Sequence, residues 1–490
     1  MVGFLLLAAI RGGERDLAMI VMKFGGTSVE DAEAIARVAG IVKQRAKQKP
    51  VVVVSALGGF TDSLVAMAKA AASGDLPAAL KLWRAGRQRH VTVLSKLVSK
   101  ANADAAEQQV QDLFGNLQDV LRGIAALGEL SPRTQDNILS FGETLSSLMV
   151  VAGFKSAGLD AVHIDARQCI VTDASHTKAV PLLDPTNARL RASLKDPLAR
   201  NRVPVLGGFI AATEDGTPST LGRGGSDFSA AIVGAALGAR RIEIWTDVEG
   251  MLTTDPRICK SARRIEVIGF EEASELAYFG AKVLHPATLI PAVESNIPVY
   301  VLNSRNPESQ GTCIQAQAPH SATTFRAIAL KKGTKILNIK APRLLIAHGF
   351  LRSLFEVFEK HSLSPDLVNT SEVSVSVAID GGRDVKPLVN DLKQLGAVEV
   401  ENGKAIVCLV GDNIRGRVGI CADVFQVVAK TGINVHMVSQ GASEINISFV
   451  IEESDAVRAV QALHAHFFEA EHLPVSVLGN ETYAGCAGVA

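Results

Sequence analysis

Short apolar runs alternate with amphipathic helical patterns through the first two-thirds of the chain. The runs lie at residues 18–24, 51–55, 203–206, 241–246 and 297–302, and their composition predicts buried strands. A helical pattern follows the first run at 31–44, and a long helical stretch extends from about 76 to 127. Strands that alternate with helices predict an α/β fold, in which a mostly parallel sheet is covered on both faces.

The last third of the chain contains an internal repeat. The helical patterns at 355–363 and 425–433 lie 70 positions apart, and each is followed by Ser-Glu and a strand of alternating polarity. Period-two alternation predicts buried stripes made of Val373, Val375, Val377 and Ile379 in the first copy and of Ile445, Ile447 and Phe449 in the second. We therefore expect two small βαββ-type units. From the fold alone, they could be a structural appendage or a pair of regulatory, ligand-binding units.

Composition and charge exclude several classes of protein. Lys plus Arg and Asp plus Glu each number 50, so the basic excess that is typical of nucleic-acid binding is missing, and two Trp and three Tyr offer few stacking platforms. The six Cys are scattered without a CxxC pair, which favours free thiols in a reducing, cytoplasmic compartment. No apolar run reaches the roughly 18 residues that a membrane span needs.

The apolar stretch at residues 4–10 has no basic residue immediately before it, as a signal peptide would require. We expect translation to begin at Met19 or Met22 instead, directly at the first strand.

Two glycine-containing segments directly follow predicted strands. They are Lys23-Phe-Gly-Gly-Thr-Ser28 and Ser55-Ala-Leu-Gly-Gly-Phe-Thr61. Glycines at such positions let backbone N–H groups approach an anion, and Lys23 adds a positive charge, although either segment alone could be a plain tight turn. Because loops that follow parallel strands meet at one sheet edge, the pair predicts a ligand site there.

A third glycine cluster, Leu221-Gly-Arg-Gly-Gly-Ser-Asp227, is the densest. It does not match the dinucleotide pattern GxGxxG, because Asp227 occupies the final position. Arg223 can bind a carboxylate through two parallel hydrogen bonds. Ser226 and Asp227 are expected to begin the next helix, with Asp227 as its N-cap.

Three further segments carry candidate functional groups, each of which could equally have an ordinary structural role. Glu143 of Ser140-Phe-Gly-Glu143 is expected at the start of a helix, where a carboxylate suits the helix dipole. Asp247 and Arg257 lie in a turn-rich loop after the strand at 241–246. Lys282 in Phe279-Gly-Ala-Lys-Val-Leu-His-Pro286 follows the end of a helix, where it could simply neutralise the dipole.

Taken in order, these segments resemble the aspartate kinases of the amino acid kinase superfamily. The motifs KFGGTSV, VVSAxGGxT, FGE, GGFI, LGRGGSD, WTDVxGxxTTDPR and FGAKVLHP match across about 22–312, and the tail matches tandem ACT regulatory domains across about 326–475. The lysine-sensitive, monofunctional type is the most similar. The resemblance implies an N-terminal extension at 1–20, a catalytic domain at 21–314, a linker at 315–326, ACT regions at 327–400 and 401–475, and a C-terminal tail at 476–490.

The resemblance also implies a role for each matched residue. Catalytic residues would be Lys23, Asp227 and Lys282. The substrate pocket would be formed by Ser55, Thr61, Glu143, Phe209, Arg223 and Ser226, with Glu143 on the α-ammonium and Arg223 on the α-carboxylate of aspartate. The nucleotide would be bound by Lys23, Gly25, Gly26, Thr246, Asp247, Leu252, Arg257 and Lys282. Family members often carry Tyr where this chain has Leu252, so no aromatic contact to the adenine is expected there.

The implied reaction transfers the γ-phosphoryl group of ATP to the β-carboxylate of L-aspartate, the first step of lysine, threonine and methionine biosynthesis by way of diaminopimelate. A carboxylate is already ionised at neutral pH, so no catalytic His is needed. Mg²⁺ would be held mainly by the ATP phosphates, and no dedicated metal cage is expected. Effector binding is expected at Gly349, Phe350, Leu351, Asp366, Ser371 and Glu372, with lysine or threonine as the effector, in a homodimer or a dimer of dimers that pairs through the ACT regions.

Two alternative functions compete with this interpretation. A kinase for glutamate, acetylglutamate or uridylate would lack the tandem tail. A non-catalytic amino acid sensor would not be expected to keep Lys23, Glu143, Arg223, Asp227 and Lys282 together. A fusion with homoserine dehydrogenase is not expected either, since this sequence has no segment left for a dinucleotide-binding domain.

Overall fold

The computed structural model describes residues 19–98, 100–280, 286–319, 324–341, 349–412, 414, 416–440 and 445–469. The predicted C-terminal tail and nearly all of the predicted N-terminal extension lie outside these ranges. The chain forms two compact units: Met1–Leu252 with Arg263–His320, and Thr253–Ala262 with Ser321–Ala490. The short segment Thr253–Ala262 thus belongs to the second unit although the chain around it belongs to the first.

The first unit is built on an eight-stranded sheet with the order β3-β5-β2-β1-β8-β10-β11-β9. Every pairing in it is parallel except β10–β11, which confirms the predicted α/β class. A second, three-stranded sheet has the order β4-β6-β7. The strands are β1 (Ile20–Phe24), β2 (Pro50–Val54), β3 (Ala161–Ile164), β4 (Val171–Thr172), β5 (Val203–Gly207), β6 (Ile210–Thr213), β7 (Pro218–Thr220), β8 (Arg241–Thr246), β9 (Val267–Gly269), β10 (Val299–Asn303) and β11 (Thr312–Gln315).

Several helices of the first unit begin at a residue whose side chain caps the helix. Asp31 accepts a hydrogen bond from the Ala34 amide at the start of α1, and the long helical stretch predicted after residue 76 divides into α3 and α4. The described helices are α1 (Ala32–Gln44), α2 (Phe60–Ala72), α3 (Leu76–Leu97), α4 (Lys100–Leu127), α5 (Pro132–Ser156), α6 (Ala166–Cys169), α7 (Leu183–Ala199), α8 (Gly225–Leu237), α9 (Phe270–Phe279) and α10 (Ile290–Glu294).

Helix α5 is the central helix of this unit. Ser131 caps it and Pro132 occupies its first turn, so the helix starts well before Glu143; the expectation that Glu143 begins a helix is wrong. Among the described residues, α5 alone has the length and composition to cross a membrane, but 89% of its apolar window is buried within the protein. It is therefore the core helix against which α1 and α2 pack.

The second unit contains one six-stranded antiparallel sheet with the order β13-β14-β12-β15-β17-β16. Helix–strand–strand repeats occur as α11–β13–β14 and α13–β16–β17, which confirms the two predicted copies. The strands are β12 (Ala327–Lys340), β13 (Leu367–Thr370), β14 (Ser374–Asp380), β15 (Ala397–Val410), β16 (Met437–Ser439) and β17 (Asn446–Glu452), and the helices are α11 (Phe350–Lys360), α12 (Lys386–Leu392), α13 (Ile420–Lys430) and α14 (Ala456–His464).

The predicted buried stripes of this unit are confirmed except at their first positions. Val375, Val377, Ile379, Ile447 and Phe449 are fully buried. Val373, by contrast, is 48% exposed because it belongs to the turn before β14, and Ile445 is half-buried just before β17. The alternation therefore predicts the strands correctly and extends one residue too far into the turns.

The two longest strands run through both copies. One part of β12, from Ala327 to Lys331, pairs with the end of β15, and the part from Thr334 to Lys340 pairs with its beginning. The register shifts between Lys331 and Ile336, around Gly333 at φ +70°, so a bulge separates the two halves. The boundary predicted from sequence between residues 400 and 401 falls inside β15.

Close packing along α5 predicts opposite effects of two Gly→Ala substitutions. A Cβ at Gly153 would lie 2.7 Å from the branched Cγ2 of Ile35, whereas a Cβ at Gly123 on α4 would meet nothing within 4 Å. We expect Gly153→Ala to destabilise the protein by about 1–3 kcal/mol through overpacking, and Gly123→Ala to stabilise it by up to about 1 kcal/mol through helix propensity. Thermal unfolding midpoints of the two variants measure this, and equal shifts in one direction would contradict the packing described for α5.

Candidate active site

Four loops meet at one edge of the large sheet. β1, β2, β5 and β8 are adjacent and parallel, so the segments that follow their carboxyl ends lie side by side. An open pocket of about 390 Å³ lies at this edge, and it is lined by the segments after β1, β2 and β5, by the glycine turn and first residues of α8, and by α5. Its lining consists of Lys23, Gly26, Ser55, Ala56, Leu57, Gly58, Gly59, Thr61, Asp62, Glu143, Phe209, Gly222, Gly224, Gly225, Ser226 and Asp227.

Lys23 and Asp227 form an ion pair in this pocket. The Lys23 Nζ lies 2.6 Å from an Asp227 carboxylate oxygen, and the two side chains are only 11% and 12% exposed. Lys23 is carried by the central strand β1, and Asp227 by the first turn of α8. Burial of a lone ammonium is costly, so the carboxylate compensates the charge until an anionic ligand can do so.

Helix α8 begins at Gly225, and its N-cap is Gly224 in the left-handed region at φ +72°. Asp227 is the third residue of the helix, and the expectation that it is the N-cap is wrong. The tight turn of Gly222 and Gly224, both with positive φ, directs the helix so that its first turn faces the pocket. The unpaired N–H groups of a helix start favour anions in this position.

Glu143 enters the pocket from the middle of α5. The residue is 3% exposed, and burial raises the pKa of its carboxyl to about 8, although the Ala56 amide and the charge of Lys23 oppose the shift. Its Oε2 atom is buried and has no hydrogen-bond partner among the described residues. A buried carboxylate oxygen with an unused acceptor is suited to an incoming ammonium group.

Glycines allow the loops to touch each other. A Cβ at Gly26 would lie 3.0 Å from the Ala56 carbonyl, and a Cβ at Gly208 would lie 2.8 Å from Ser226. Between Gly208 and β6, Phe209 adopts φ +65°, a conformation that a bulky residue rarely takes, and its amide donates to Ser229 Oγ. This backbone strain presents the Phe209 ring to the pocket, where it is part of the wall.

Other predicted residues lie around this centre. Ser55, Thr61 and Ser226 line the pocket. Arg223 is exposed at the tip of its glycine turn and is not among the lining residues. Thr246 is the last residue of β8 and Asp247 follows it; the Thr246 carbonyl accepts hydrogen bonds from the Ser304 amide and hydroxyl.

Two predicted nucleotide-binding residues follow further along. Leu252 is half-buried at the end of the first of the two chain segments of the first unit, and it pairs with Arg264 in an isolated β-bridge. Arg257 belongs to the second unit, where its guanidinium donates to the Asp255 carboxylate and remains 88% exposed. Lys282 lies outside the described residues.

Sequence analysis missed some of the lining. The glycine pattern marked the segment 55–61, but only Ser55 and Thr61 were assigned to the site, whereas residues 56–59 also line the pocket. Asp62 lines it too, and no pattern distinguished it from a surface helix position. Among the described residues, no group of three or more Cys, His, Asp or Glu side chains could hold a metal ion.

The predicted effector residues occupy two ends of the first repeat. β12 and β13 flank β14 and are both antiparallel to it, so they run in the same direction. The chain therefore returns through α11 from the end of β12 to the start of β13. The start of α11, at Gly349, Phe350 and Leu351, thus lies at the same end of the sheet as the Ser371-Glu372 turn. Asp366 lies at the opposite end of β13, where its carboxylate is 2.6 Å from Lys331 Nζ. The rise along β13 separates Asp366 from Ser371 by about 16 Å.

Comparison with known proteins agrees with this geometry. The amino acid kinase family matches residues 18–303, and an ACT domain matches 407–467. Among curated relatives, lysine-sensitive aspartokinase 3 of Escherichia coli is 38% identical over 92% of this chain and 99% of its own length, and the chloroplastic aspartokinase 1 of Arabidopsis thaliana is 37% identical over 92% and 81%.

Solved structures give the same result. A crystal structure of E. coli aspartokinase III in complex with aspartate and ADP, in the R-state, superposes with a TM-score of 0.80 at 36% identity, covering 92% of this chain and all of that one. The same enzyme in complex with lysine and aspartate, in the T-state, gives a TM-score of 0.79 at the same identity and coverage. The fold, the pocket and these similarities together show that the chain belongs to the aspartokinases of the amino acid kinase family.

Proposed function

We propose that this member of the aspartokinase family phosphorylates the β-carboxylate of L-aspartate with ATP in the pocket around Lys23. The single observation that carries the proposal is the buried ion pair between Lys23 and Asp227, beside a buried Glu143 whose Oε2 has no partner among the described residues. A cation and an unused acceptor within one small pocket match an acidic amino acid that meets a phosphate. Phe209 and the glycine loops limit the size of what can enter.

The reaction needs positioning and charge neutralisation more than proton transfer. The β-carboxylate of aspartate is ionised at neutral pH and attacks the γ-phosphorus, while ADP leaves with the bridging oxygen. Lys23 would contact the phosphoryl oxygens, on which negative charge must be balanced in the transition state. Asp227 would hold the ammonium of Lys23 in place before the nucleotide binds.

ATP would be held by the loop at Gly25 and Gly26 and by Thr246 and Asp247. A Cβ at Gly25 would approach the Trp245 carbonyl and Lys23 Nζ within 4 Å, so the glycine leaves space beside the lysine for a phosphate. Mg²⁺ would be coordinated mainly by the ATP phosphates, and it would supply further positive charge to the transferring group. We also propose that Arg257 and Lys282 bind the nucleotide.

Aspartate itself would bind on the opposite side of the pocket. Its α-ammonium would pair with Glu143, Ser55 and Thr61 would donate to its carboxylates, and Ser226 would border the ATP side. Arg223 lies on an exposed glycine turn, from which it could close over the α-carboxylate when aspartate enters. This arrangement would present the β-carboxylate to Lys23.

We expect Lys23→Ala to lower kcat by a factor of roughly 10² to 10⁴, because it removes one preorganised positive charge from the transition state. Trapping the acyl phosphate as a hydroxamate measures turnover with aspartate, and glutamate tests substrate choice. Lys43→Ala, an exposed lysine on α1, is the matched control. Wild-type turnover in folded Lys23→Ala would rule out this role, and no hydroxamate from wild type with aspartate would refute the proposed function.

The raised pKa of Glu143 predicts a pH-dependent KM for aspartate. Below pH 8 the Glu143 carboxyl of the ligand-free protein is mostly protonated, and binding of the aspartate ammonium must expel that proton. The KM for aspartate should therefore rise about tenfold for each unit by which pH falls from 8. Glu143→Gln should raise KM at pH 8 by about 10- to 100-fold and abolish this slope, since a charge-assisted hydrogen bond is lost.

An ADP-release assay between pH 6 and 9 measures both effects, with the KM for ATP as the internal control. A slope that persists in Glu143→Gln would show that another group titrates.

We also propose lysine as the inhibitory effector, with threonine as the alternative. Glu372 is exposed at the turn beside the start of α11, whereas Asp366 is in an ion pair with Lys331, so Glu372 is the better partner for an amino acid ammonium. Backbone N–H groups at the start of α11, which has Gly349 as its N-cap, could bind the carboxylate. Inhibition requires that lysine binds one conformational state more tightly than the other.

We expect Glu372→Ala to raise the lysine concentration for half-inhibition at least tenfold without changing uninhibited kcat, because a charge-assisted contact is removed. The control is Glu399→Ala, whose exposed carboxylate faces only Lys340, at 3.8 Å, among the described residues. Unchanged inhibition in Glu372→Ala, or inhibition by threonine alone, would contradict this assignment.

The second unit also offers apolar groups for assembly. Leu351 and Phe355 on α11 and Val438 on β16 are 40–43% exposed. These side chains support our proposal of a homodimer, or a dimer of dimers, that forms through this unit. Light scattering on the full chain would determine its size.

A further inference from the structure

Helix α3 contacts the active-site loops through one face. A Cβ at Gly86 would lie 2.7 Å from the Phe60 ring, so this glycine lets α3 approach the first residue of α2 closely. The ring of His90, one turn further on, lies 4.3 Å from that of Phe60 in an edge-to-face contact. Arg89 is on the same face of α3, three residues from Gly86, and points to the loop just before Phe60.

The Arg89 guanidinium joins two loops that reach the pocket. Its Nη1 donates to the Gly58 carbonyl at 2.7 Å, and its Nη2 donates to the Glu30 carbonyl at 2.9 Å. Gly58 belongs to the segment after β2, and Glu30 belongs to the segment between β1, which carries Lys23, and α1. A planar, permanently charged guanidinium can make both bonds at once, which a lysine ammonium does with far less directional control.

The bond to Gly58 fixes the orientation of the next peptide group. In a trans peptide, the C=O and the N–H point in opposite directions, so a Gly58 carbonyl that faces Arg89 turns the Gly59 N–H away from α3. Gly58 and Gly59 both line the pocket, whereas Arg89 does not. The Gly59 amide has no acceptor among the described residues, and it adjoins the start of α2, whose dipole favours an anion.

We infer that Arg89 is a positioning residue for phosphoryl transfer: it holds the Gly58–Gly59 peptide so that the Gly59 N–H donates to an oxyanion of the substrates in the pocket. The inference rests on the proposed function, since it concerns the same pocket. The cationic donor on the Gly58 carbonyl also polarises the peptide, which makes the Gly59 N–H a stronger donor. Loss of Arg89 would leave the loop in place but free to rotate this peptide.

Arg89→Met and Arg89→Lys test the inference in the full chain with aspartate and ATP. We expect Arg89→Met to lower kcat/KM by about 10²-fold, as misplacement of a binding group by roughly 1 Å does, and Arg89→Lys to recover little of it because the forked geometry is lost. Arg84→Met, an exposed arginine one turn and a half earlier on α3, is the matched control and should stay within about twofold of wild type.

Chemical rescue separates positioning from a structural role. Millimolar methylguanidinium should restore activity to Arg89→Ala, but not change wild type or Arg84→Met, because it can re-form the bonds to the two carbonyls. Kinetic constants of both Arg89→Met and Arg89→Lys within twofold of wild type would overturn the inference. So would a loss of activity that parallels a fall in unfolding midpoint and is not rescued. An inactive wild type would instead refute the proposed function.

Discussion

A buried lysine at the end of the central strand constrains the architecture of the first unit. β1 lies between β2 and β8 with its apolar residues wholly buried, so its last residues meet the ends of the neighbouring strands at one edge. Burying the Lys23 ammonium without an anion nearby would be costly. The fold supplies Asp227 from the first turn of α8, and the chain must therefore return to this edge through the glycine turn at Gly222 and Gly224.

This constraint explains why six of the sixteen residues that line the pocket are glycines. Loops from neighbouring parallel strands are separated by little more than the strand spacing, so any Cβ at Gly26 or Gly208 would collide with the next loop. What remains between them is a space bordered by glycines, one ammonium and three carboxyl groups, those of Asp62, Glu143 and Asp227. Such a surface is suited to anions whose charge is already present, and it needs no proton-accepting histidine.

Much of the fold could be predicted from the sequence because its signals are local. Apolar runs marked β1, β2, β5, β8 and β10 to within a few residues, and the 70-residue repeat marked the two halves of the second unit. The errors were also local. The charge of Glu143 suggested a helix start at that residue, whereas Ser131 and Pro132 begin α5 well before it. Likewise, the N-cap of α8 is Gly224 and not Asp227.

The candidate site was only partly predictable, for a different reason. Glycine clusters and charged residues directly after strands pointed to Lys23 and Asp227, since parallel topology brings such segments together. Arg89 carried no comparable signal: it lies in the middle of a helix rich in basic residues, and its partners are carbonyl oxygens 31 and 59 positions away in the chain. Contacts between a side chain and a distant backbone depend on tertiary packing, which no local pattern encodes.

The continuity of β12 and β15 has a consequence for the evolution and handling of the regulatory half. Since each strand crosses the bulge and belongs to both repeats, neither repeat possesses a complete sheet of its own. Excising one would remove part of the β12–β15 ladder from its neighbour and leave an unpaired strand edge. The two repeats thus form a single indivisible sheet, in which a disturbance at a turn of one copy is borne by strands that also belong to the core of the other.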